Sequence, residues 1–142
     1  MVRVMASGVF DIIHTGHISF LEQAKSLGDE LVVVVACDNT VKKRKHEPIN
    51  SDIMRCRVIS ALKPVDIAVI GKDTGDFFST VKEINPDIII LGFDQTFDEK
   101  DLENQLRENG FETKVVRASG SPNAPSTSNI IAKIIDSSKK AQ

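Results

Sequence analysis

Short apolar runs rich in β-branched residues alternate along this chain with segments whose apolar residues recur at helical spacing. Between the first two runs, Ile18, Leu21 and Ala24 share one face of a helix that Gly28 would end. The pattern of five strands alternating with five helices predicts an α/β domain. Its sheet would be five-stranded, parallel and doubly wound, with helices on both faces. The apolar runs cover residues 2–6, 31–37, 67–70, 88–91 and 113–117.

The character of each run predicts its place in the sheet. Residues 31–37 (LVVVVAC) are apolar without interruption, which is typical of a strand covered on both faces, so we expect this strand at the centre. Residues 113–117 are more polar and suit an edge strand. The polar and basic stretch at 38–50 is predicted to be a loop.

Capping residues predict where two of the helices begin. Ser51 suits the N-cap of one helix, and Asp98 suits that of another, which Gly110 would end. The buried faces are predicted to hold Met54, Val58, Ile59 and Leu62 in the first of these helices, Leu102 and Leu106 in the second, and Ile130, Ile131, Ile134 and Ile135 in the last helix of the chain.

Length and composition indicate one ordinary domain. The chain has 142 residues, of which 41% are hydrophobic and 27% charged, and its net charge is −2. We expect a single domain over residues 1–137 and a frayed tail at 138–142. Without a basic surplus, the chain is not expected to bind nucleic acid. No run approaches the roughly 18–20 apolar residues of a membrane span, and no signal-peptide pattern follows Met1, so we expect a cytoplasmic protein.

Sheets of this kind bind ligands beyond the carboxyl ends of their strands, where the strand order changes direction. The candidate loops are therefore 7–16, 38–50, 92–97 and 118–126. The first of them lacks both the G-x-G-x-x-G pattern of dinucleotide folds and the G-x-x-x-x-G-K-[ST] pattern of P-loops. Any phosphate site in this loop must therefore use other residues.

Two of the three histidines lie in that first loop, within the stretch SGVFDIIHTGH at 7–17. His14 and His17 come at the start of a predicted helix, where free N–H groups and the helix dipole favour an anion. Both imidazoles can donate hydrogen bonds to phosphate oxygens, and Gly16 allows a close approach of the backbone. The loop thus predicts a phosphate site.

A metal site is the alternative use of two neighbouring histidines. A closed zinc site needs further cysteine or histidine ligands nearby, and the two cysteines, Cys37 and Cys56, stand apart from this loop and from each other. We therefore expect no metal held by the protein alone, and we expect both cysteines to be reduced thiols.

The stretch GVFDIIHTGH at 8–17 resembles the G-x-F-D-x-x-H-x-G-H motif of the cytidylyltransferase-like nucleotidyltransferases. The resemblance continues at 126–130 (STSNI), which is similar to the serine/threonine motif that opens a helix near the end of these proteins. It covers nearly the whole chain. It implies a Rossmann-like fold and the transfer of a nucleotidyl group from a nucleoside triphosphate.

The resemblance also implies roles for individual residues. His14 and His17 would grip the triphosphate and stabilise the transition state at the α-phosphorus, and Thr15 and Gly16 between them would belong to the same nucleotide site. The cleft would be lined by Val9 and Phe10, and the distal phosphates would be held by Ser126, Thr127 and Ser128.

Nucleotidyl transfer to a phosphate is chemically consistent with such a site. A phosphomonoester is already an anionic nucleophile, so the reaction needs in-line positioning and positive charge rather than a strong base. Lys42 is expected to supply part of that charge, because members of the family place a lysine after a turn like Asp38–Val41. Arg55 is a second candidate for a phosphate contact. A divalent cation, expected to be Mg²⁺, would arrive with the triphosphate.

Two branches of the family compete for this sequence. Glycerol-3-phosphate cytidylyltransferases carry an R-Y-V-D stretch and a compact R-T-x-G-I-S-T-T motif. This chain has Lys63-Pro64-Val65-Asp66 at the first place, and ASGSPNAP separates Arg117 from Ser126 at the second. Arg117 remains a candidate contact to the triphosphate. A non-catalytic nucleotide or flavin binder is an alternative from another class.

Three segments resemble archaeal-type FAD synthases more closely, and this is the branch that we favour. They are residues 26–49, 61–71 and 84–117. The resemblance implies transfer of AMP from ATP to the phosphate of FMN, with pyrophosphate released. It implies a contact between Asp94 and ATP, and Phe93 beside it offers an aromatic face for a ring of either substrate. A homodimer is also implied, because dimers are common in the family.

Overall fold

The computed structural model of the protein describes residues 1–44, 47–73, 77–92, 95, 97–120 and 126–140. Within these residues, five strands form one parallel sheet in the order β3-β2-β1-β4-β5. The parallel α/β sheet predicted from the apolar runs is therefore confirmed. The strands are β1 (Arg3–Gly8), β2 (Glu30–Val35), β3 (Ile67–Ile70), β4 (Ile88–Leu91) and β5 (Lys114–Arg117).

Helices cover both faces of the sheet, as predicted. Side chains of α1 and α3 pack with Ala6, Val33 and other residues on one face, whereas those of α4 and α5 pack with Met5 and Val34 on the other. The described helices are α1 (Thr15–Ser26), α2 (Asp38–Arg44), α3 (Asp52–Ser60), α4 (Phe77–Ile84), α5 (Glu99–Glu108) and α6 (Thr127–Lys140).

The two strands singled out by their composition lie close to their predicted places. β5 is an edge strand, as its polar residues predicted. β2 is an interior strand that is buried from Leu31 to Val35, but β1 and not β2 occupies the centre. Helices that cover both faces of the sheet bury every interior strand in this way, so burial does not identify the middle strand.

Part of the loop predicted at 38–50 is helical: α2 occupies Asp38–Arg44, so the prediction was wrong for these residues. The backbone N–H of Asp38 donates to Asp52 Oδ2 at 2.9 Å, and Asp38 Oδ1 accepts from the N–H of Asp52 at the same distance. This reciprocal pair fixes the starts of α2 and α3 against each other. Only Val41 of α2 is buried, so the segment lacks the apolar periodicity by which a helix is recognised in a sequence.

Helix α3 begins where predicted but buries a different face. Ser51 is its N-cap and accepts from the N–H of Met54 at 3.3 Å. Ile59 is buried as expected, whereas Met54 and Val58 are 56% and 48% exposed. The buried position between them is taken by Arg55, which is 1% exposed. Arg55 faces inward because its buried guanidinium needs several hydrogen-bond acceptors at once. Met54 and Val58 consequently face outward.

Helix α5 follows the prediction closely. Asp98 accepts from the N–H groups of Lys100 and Asp101, and Leu102 and Leu106 are buried. At the other end Gly110 has a φ of 87°, a left-handed conformation that glycine adopts at little cost. The N–H groups of residues 110 and 111 then bond back to the last turn, which completes a Schellman motif.

Helix α6 extends further than predicted and leaves much of its apolar face uncovered. It continues to Lys140, so the tail expected to fray from residue 138 is helical, and residues 141–142 lie outside the described part. None of its described residues is buried, and Ile134 and Ile135 are 59% and 51% exposed. The prediction that the isoleucines of this helix are buried is therefore wrong for the single chain.

The strand order places the binding crevice. β2 and β3 follow β1 on one side, and the chain then crosses to β4 and β5 on the other, so the order changes direction between β1 and β4. The loops that leave the carboxyl ends of these two strands border the crevice. No helix among the described residues is long and apolar enough to span a bilayer.

Candidate active site

The loop that connects β1 to α1 carries the first motif in a tightly folded form. Phe10 and Ile12 adopt φ values of 53° and 48°, in the left-handed region that side chains other than glycine rarely occupy. The ring of Phe10 is buried and folds back over Gly8, where an added Cβ would lie 2.9 Å from Phe10 Cζ. Strained backbone of this kind is concentrated at functional sites in proteins.

Both histidines belong to the start of α1, as predicted. His14 is the N-cap, and its Nδ1 accepts from the N–H of Gly16 at 3.0 Å. His17 Nδ1 accepts in turn from the N–H of His14 at 3.3 Å, which completes a capping box made of two imidazoles. The two rings stack with their centroids 3.9 Å apart, and Phe10 meets His17 edge-on at 5.5 Å.

These hydrogen bonds fix the tautomer of both rings. An Nδ1 atom that accepts a backbone N–H carries no proton, so each neutral imidazole holds its proton on Nε2. Burial, and then repulsion from His14, lowers the pKa of His17 to about 4. Burial also lowers the pKa of His14. Near neutral pH the pair therefore offers two uncharged Nε2–H donors.

The helix start is less open to an anion than the sequence suggested. The N–H of Gly16 bonds to the His14 ring, and the N–H of His17 bonds to the His14 carbonyl at 3.1 Å. Thr15, the first residue of the helix, is exposed. A phosphate at this end of α1 would therefore meet the distal imidazole nitrogens as well as the helix dipole.

The stability of the protein is expected to fall as the pH is lowered from about 6.5 towards about 4. The unfolded chain takes up a proton at His17 in this window, whereas the folded chain, with a His17 pKa of about 4, does not. Urea unfolding at several pH values measures the effect. Replacing His17 with asparagine removes this titration, so the variant should lose less stability over the window; an identical pH dependence in both proteins would contradict the explanation.

Asp11 anchors the β1–α1 loop to the segment before α3. Its side chain is 5% exposed, and the carboxylate accepts from the N–H groups of Ile49 at 2.6 Å and Asn50 at 3.1 Å. Two backbone donors satisfy this buried charge. The sequence motif contains Asp11 but does not by itself indicate this anchoring role.

The two motifs recognised in the sequence meet in space. Thr127 Oγ1 donates to the carbonyls of Asp11 and Ile12, so the start of α6 lies against the β1–α1 loop. Ser126 Oγ accepts from the N–H of Asn129 at 3.1 Å and acts as the helix cap, while Ser128 is exposed. Of the three residues predicted to contact phosphates, Ser126 therefore caps α6 and Thr127 joins the two motifs, which leaves the side chain of Ser128 exposed.

Arg55 lies beneath the β1–α1 loop. Its Nη1 donates to the carbonyls of Val9 and Ala36, both at 2.8 Å, and its Nε donates to Asn50 O at 2.9 Å. Nη2 pairs with Asp38 Oδ1 at 2.8 Å. The residue predicted to contact a phosphate therefore joins three backbone segments, which lie after β1, after β2 and before α3.

Three further predicted residues, Val9, Phe10 and Lys42, lie in the described part of the chain. Val9 is half-buried, and the ring of Phe10 contacts the ring of His17. Lys42 is on α2, half-exposed, with its Nζ 3.4 Å from Glu47 Oε1. Phe93 and Asp94 lie outside the described residues.

Arg117, at the end of β5, reaches the segment that follows β4. Its guanidinium donates to the carbonyls of Gly92, Gln95 and Phe97 and pairs with Glu99. This arginine, like Arg55, is therefore engaged by main-chain oxygens. The sequence shows the positive charge of such residues but not the acceptors that surround it.

Comparison with known proteins gives consistent results. Residues 5–134 match the cytidylyltransferase-like family. The chain is 53% identical to an FAD synthase of Aciduliprofundum boonei over 96% of this chain and 92% of the relative. It is also 53% identical to an FAD synthase of Archaeoglobus profundus, over 96% and 88% of the two chains.

A solved structure shares the fold. It is described as a lipopolysaccharide core biosynthesis protein from Thermoplasma volcanium, and it is 50% identical to this chain with a TM-score of 0.82. The match covers 85% of this chain and 98% of the solved one. The arrangement of the sheet and its helices is thus common to both proteins.

Proposed function

This chain belongs to the cytidylyltransferase-like family, and we propose that it is an FAD synthase that transfers AMP from ATP to the phosphate of FMN. The observation that carries the proposal is the identity of about half of all residues to archaeal FAD synthases over nearly the whole chain. The histidine pair at the start of α1 is chemically suited to this reaction. The chain is accordingly an enzyme, a nucleotidyltransferase.

The reaction is an in-line displacement at the α-phosphorus of ATP. A phosphate oxygen of FMN forms a new bond to this phosphorus, and the bond to the bridging oxygen of the β-phosphate breaks, so pyrophosphate leaves. FMN phosphate is ionised near neutral pH and needs no strong base. The task of the protein is to align the two phosphates and to stabilise the negative charge that shifts to the leaving group.

His14 and His17 perform this stabilisation as neutral donors. Their Nδ1 atoms are held by backbone N–H groups, so only the Nε2–H groups can turn towards phosphate oxygens. Stacking holds the two imidazoles against each other at the helix start. Because the rings are fixed before the substrate arrives, little reorganisation is needed in the transition state.

Other residues would complete the phosphate site. Ser128 is exposed at the start of α6, which Thr127 places beside the β1–α1 loop, so the distal phosphates can lie between the two helix starts. Lys42 would add positive charge from α2, where it is half-exposed. The resemblance to the family further implies that Asp94 and Phe93 would contact the nucleotide.

A divalent cation is part of the proposal. Across the described portion of the chain, no three acidic, histidine or cysteine side chains are grouped to hold a metal ion. We infer that Mg²⁺ arrives with ATP, because this cation commonly keeps several waters and binds substrate phosphates rather than an all-protein cage. It would neutralise charge on the triphosphate.

The choice of substrates can be tested directly. Purified protein is incubated with ATP or CTP, each with FMN or glycerol 3-phosphate, in the presence of Mg²⁺, and pyrophosphate release is followed. We expect turnover with ATP and FMN. Turnover confined to CTP and glycerol 3-phosphate would contradict the flavin assignment, and tight nucleotide binding without pyrophosphate release would indicate a binding protein.

Two further expectations belong to this proposal. The homodimer implied by the family stays a prediction, and the exposed apolar residues Met54, Val58, Ile134 and Ile135 support it because they would be covered by a second copy. Sedimentation equilibrium measures the mass of the particle. Cytoplasmic location likewise stays a prediction from the sequence.

A further inference from the structure

The ring of Phe10 belongs to the interior of the protein rather than to the surface of the crevice. Phe10 is 5% exposed and packs in the same buried cluster as Ala6 and Val35. Its ring stacks on that of Phe20, with the centroids 6.4 Å apart, and folds over Gly8. At this exposure the ring offers little surface on which a base or a flavin could stack. The side chain that the family resemblance places along the cleft is therefore packed against the protein itself.

The same ring lies against His17. The Phe10 and His17 rings make a T-shaped contact at an angle of 64°, with their centroids 5.5 Å apart, and the His14 ring stacks on His17 at 3.9 Å. His17 Nδ1 accepts from the N–H of His14 at 3.3 Å. The stacking ring and the N–H come from His14, while Phe10 supplies an apolar contact from another direction. Together these contacts fix the plane of the His17 imidazole.

The hydrogen bond at Nδ1 exists only while His17 is uncharged. A protonated imidazole donates from both nitrogens, so it cannot accept from the N–H of His14. Burial lowers the pKa of His17 to about 4, and repulsion from His14 lowers it further within that value. An apolar ring packed against the imidazole excludes water and so favours the uncharged form. Phe10 therefore supports the same state of His17 that the capping bond requires.

The backbone shows that the ring of Phe10 needs this particular place. Phe10 has a φ of 53°, a left-handed conformation that is unfavourable for a residue with a side chain, and burial of the ring offsets part of this cost. Gly8 leaves the space that the ring occupies. A Cβ added at Gly8 would lie 2.9 Å from Phe10 Cζ and 3.0 Å from Cε2, closer than packed atoms approach. A larger residue at position 8 must therefore displace the ring.

We propose that Phe10 is a positioning residue whose ring holds the His17 imidazole in the orientation and tautomer that present Nε2–H to the phosphates, without itself contacting the nucleotide. This inference rests on the proposed function, in which His17 is a neutral donor to the transition state. It concerns the ring alone, because the main chain of Phe10 belongs to the loop that borders the crevice. Its consequence is specific: a change in the ring alters the titration of His17 and the chemical step, and it leaves the affinity for the nucleotide unchanged.

The variant Phe10→Leu replaces the ring with a smaller apolar side chain that still fills part of the core. In an NMR titration of the free protein we expect the pKa of His17 to rise from about 4 to roughly 5, because water reaches the imidazole. With ATP, FMN and Mg²⁺, kcat should fall by roughly tenfold, while the dissociation constant of ATP keeps its wild-type value. Weaker ATP binding with an unchanged titration of His17 would overturn the proposal and assign the ring to the nucleotide cleft.

A second variant, Gly8→Ala, displaces the ring without changing it and should reproduce both effects. Phe78→Leu is the matched control. It makes the same substitution at a partly buried phenylalanine on the opposite face of the sheet, so it should cost stability but leave the titration of His17 and kcat unchanged. If Gly8→Ala shows the wild-type titration and kcat, the proposal is overturned even where Phe10→Leu is too unstable to purify.

The titration separates this inference from the assignment of substrates, because it is measured on the protein without nucleotide. If the wild type prefers CTP and glycerol 3-phosphate, the FAD synthase proposal fails, and kcat and affinity are compared with CTP instead. A raised pKa of His17 with reduced kcat and unchanged affinity for CTP still supports Phe10 as a positioning residue. If no pair of substrates is turned over, the titration alone decides, and an unchanged pKa of His17 in both variants rejects the inference.

Discussion

Replacing His17 with alanine is expected to lower kcat/KM for FAD formation by a factor of about 100 or more. One preorganised donor to a transition state contributes about 3 kcal/mol, which corresponds to this factor. In the proposed mechanism His17 supplies such a donor, because its Nδ1 accepts from the N–H of His14 and its proton is therefore on Nε2. Initial rates of pyrophosphate release at subsaturating ATP measure the change.

Two amide variants separate the distal donor from the capping bond. Asparagine places an acceptor near the position of Nδ1 and lacks the distal donor, whereas glutamine places an amide N–H near the position of Nε2. We expect His17→Asn to be as inactive as alanine while staying folded, and His17→Gln to retain more activity than either. Equal activity of the two amides, or near wild-type activity of His17→Ala, would exclude His17 as the donor.

Replacing Arg55 with methionine is expected to lower the free energy of unfolding by about 3–5 kcal/mol. The side chain is 1% exposed, and its removal leaves the carbonyls of Val9, Ala36 and Asn50 without a donor and Asp38 without its ion-pair partner. Methionine fills a similar volume, so the loss reports on these polar contacts. Urea unfolding measures it.

Arg57→Met is the matched control for this experiment. Arg57 lies on the same helix two residues further on and is exposed, so its replacement should change stability by no more than about 0.5 kcal/mol. The comparison of the two variants also decides whether Arg55 supports the fold or contacts a substrate. If Arg55→Met keeps the wild-type stability but loses activity, the arginine contacts a substrate, as the sequence first suggested.

The sheet was largely predictable because its signal is local. An apolar run such as Leu31–Val35 predicts a buried strand without reference to distant residues, and the alternation of such runs with helices favours a parallel sheet. The position of the histidines was predictable for the same reason. His14 and His17 follow the first strand directly, and the start of a helix requires capping groups.

The errors concern polar burial and missing partners. Arg55 replaces apolar residues at the inner face of α3 because acceptors from three segments meet there, two of them distant in the chain, which no local pattern reveals. Helix α2 depends on the bonds between Asp38 and Asp52, and it buries only Val41. The spacing of isoleucines in α6 correctly indicated an apolar face, but Ile134 and Ile135 on that face are more than half exposed.

The hydrogen bond from Thr127 to the carbonyl of Asp11 joins residues 116 positions apart in the chain. This loop therefore emerges during synthesis long before the helix that holds it. The four strands after β1 can pair before that helix is made, but the loop lacks one of its anchors until then. Contacts of such large sequence separation form late in folding because a long loop must close first. We therefore expect catalytic competence to be acquired last, after the sheet has assembled.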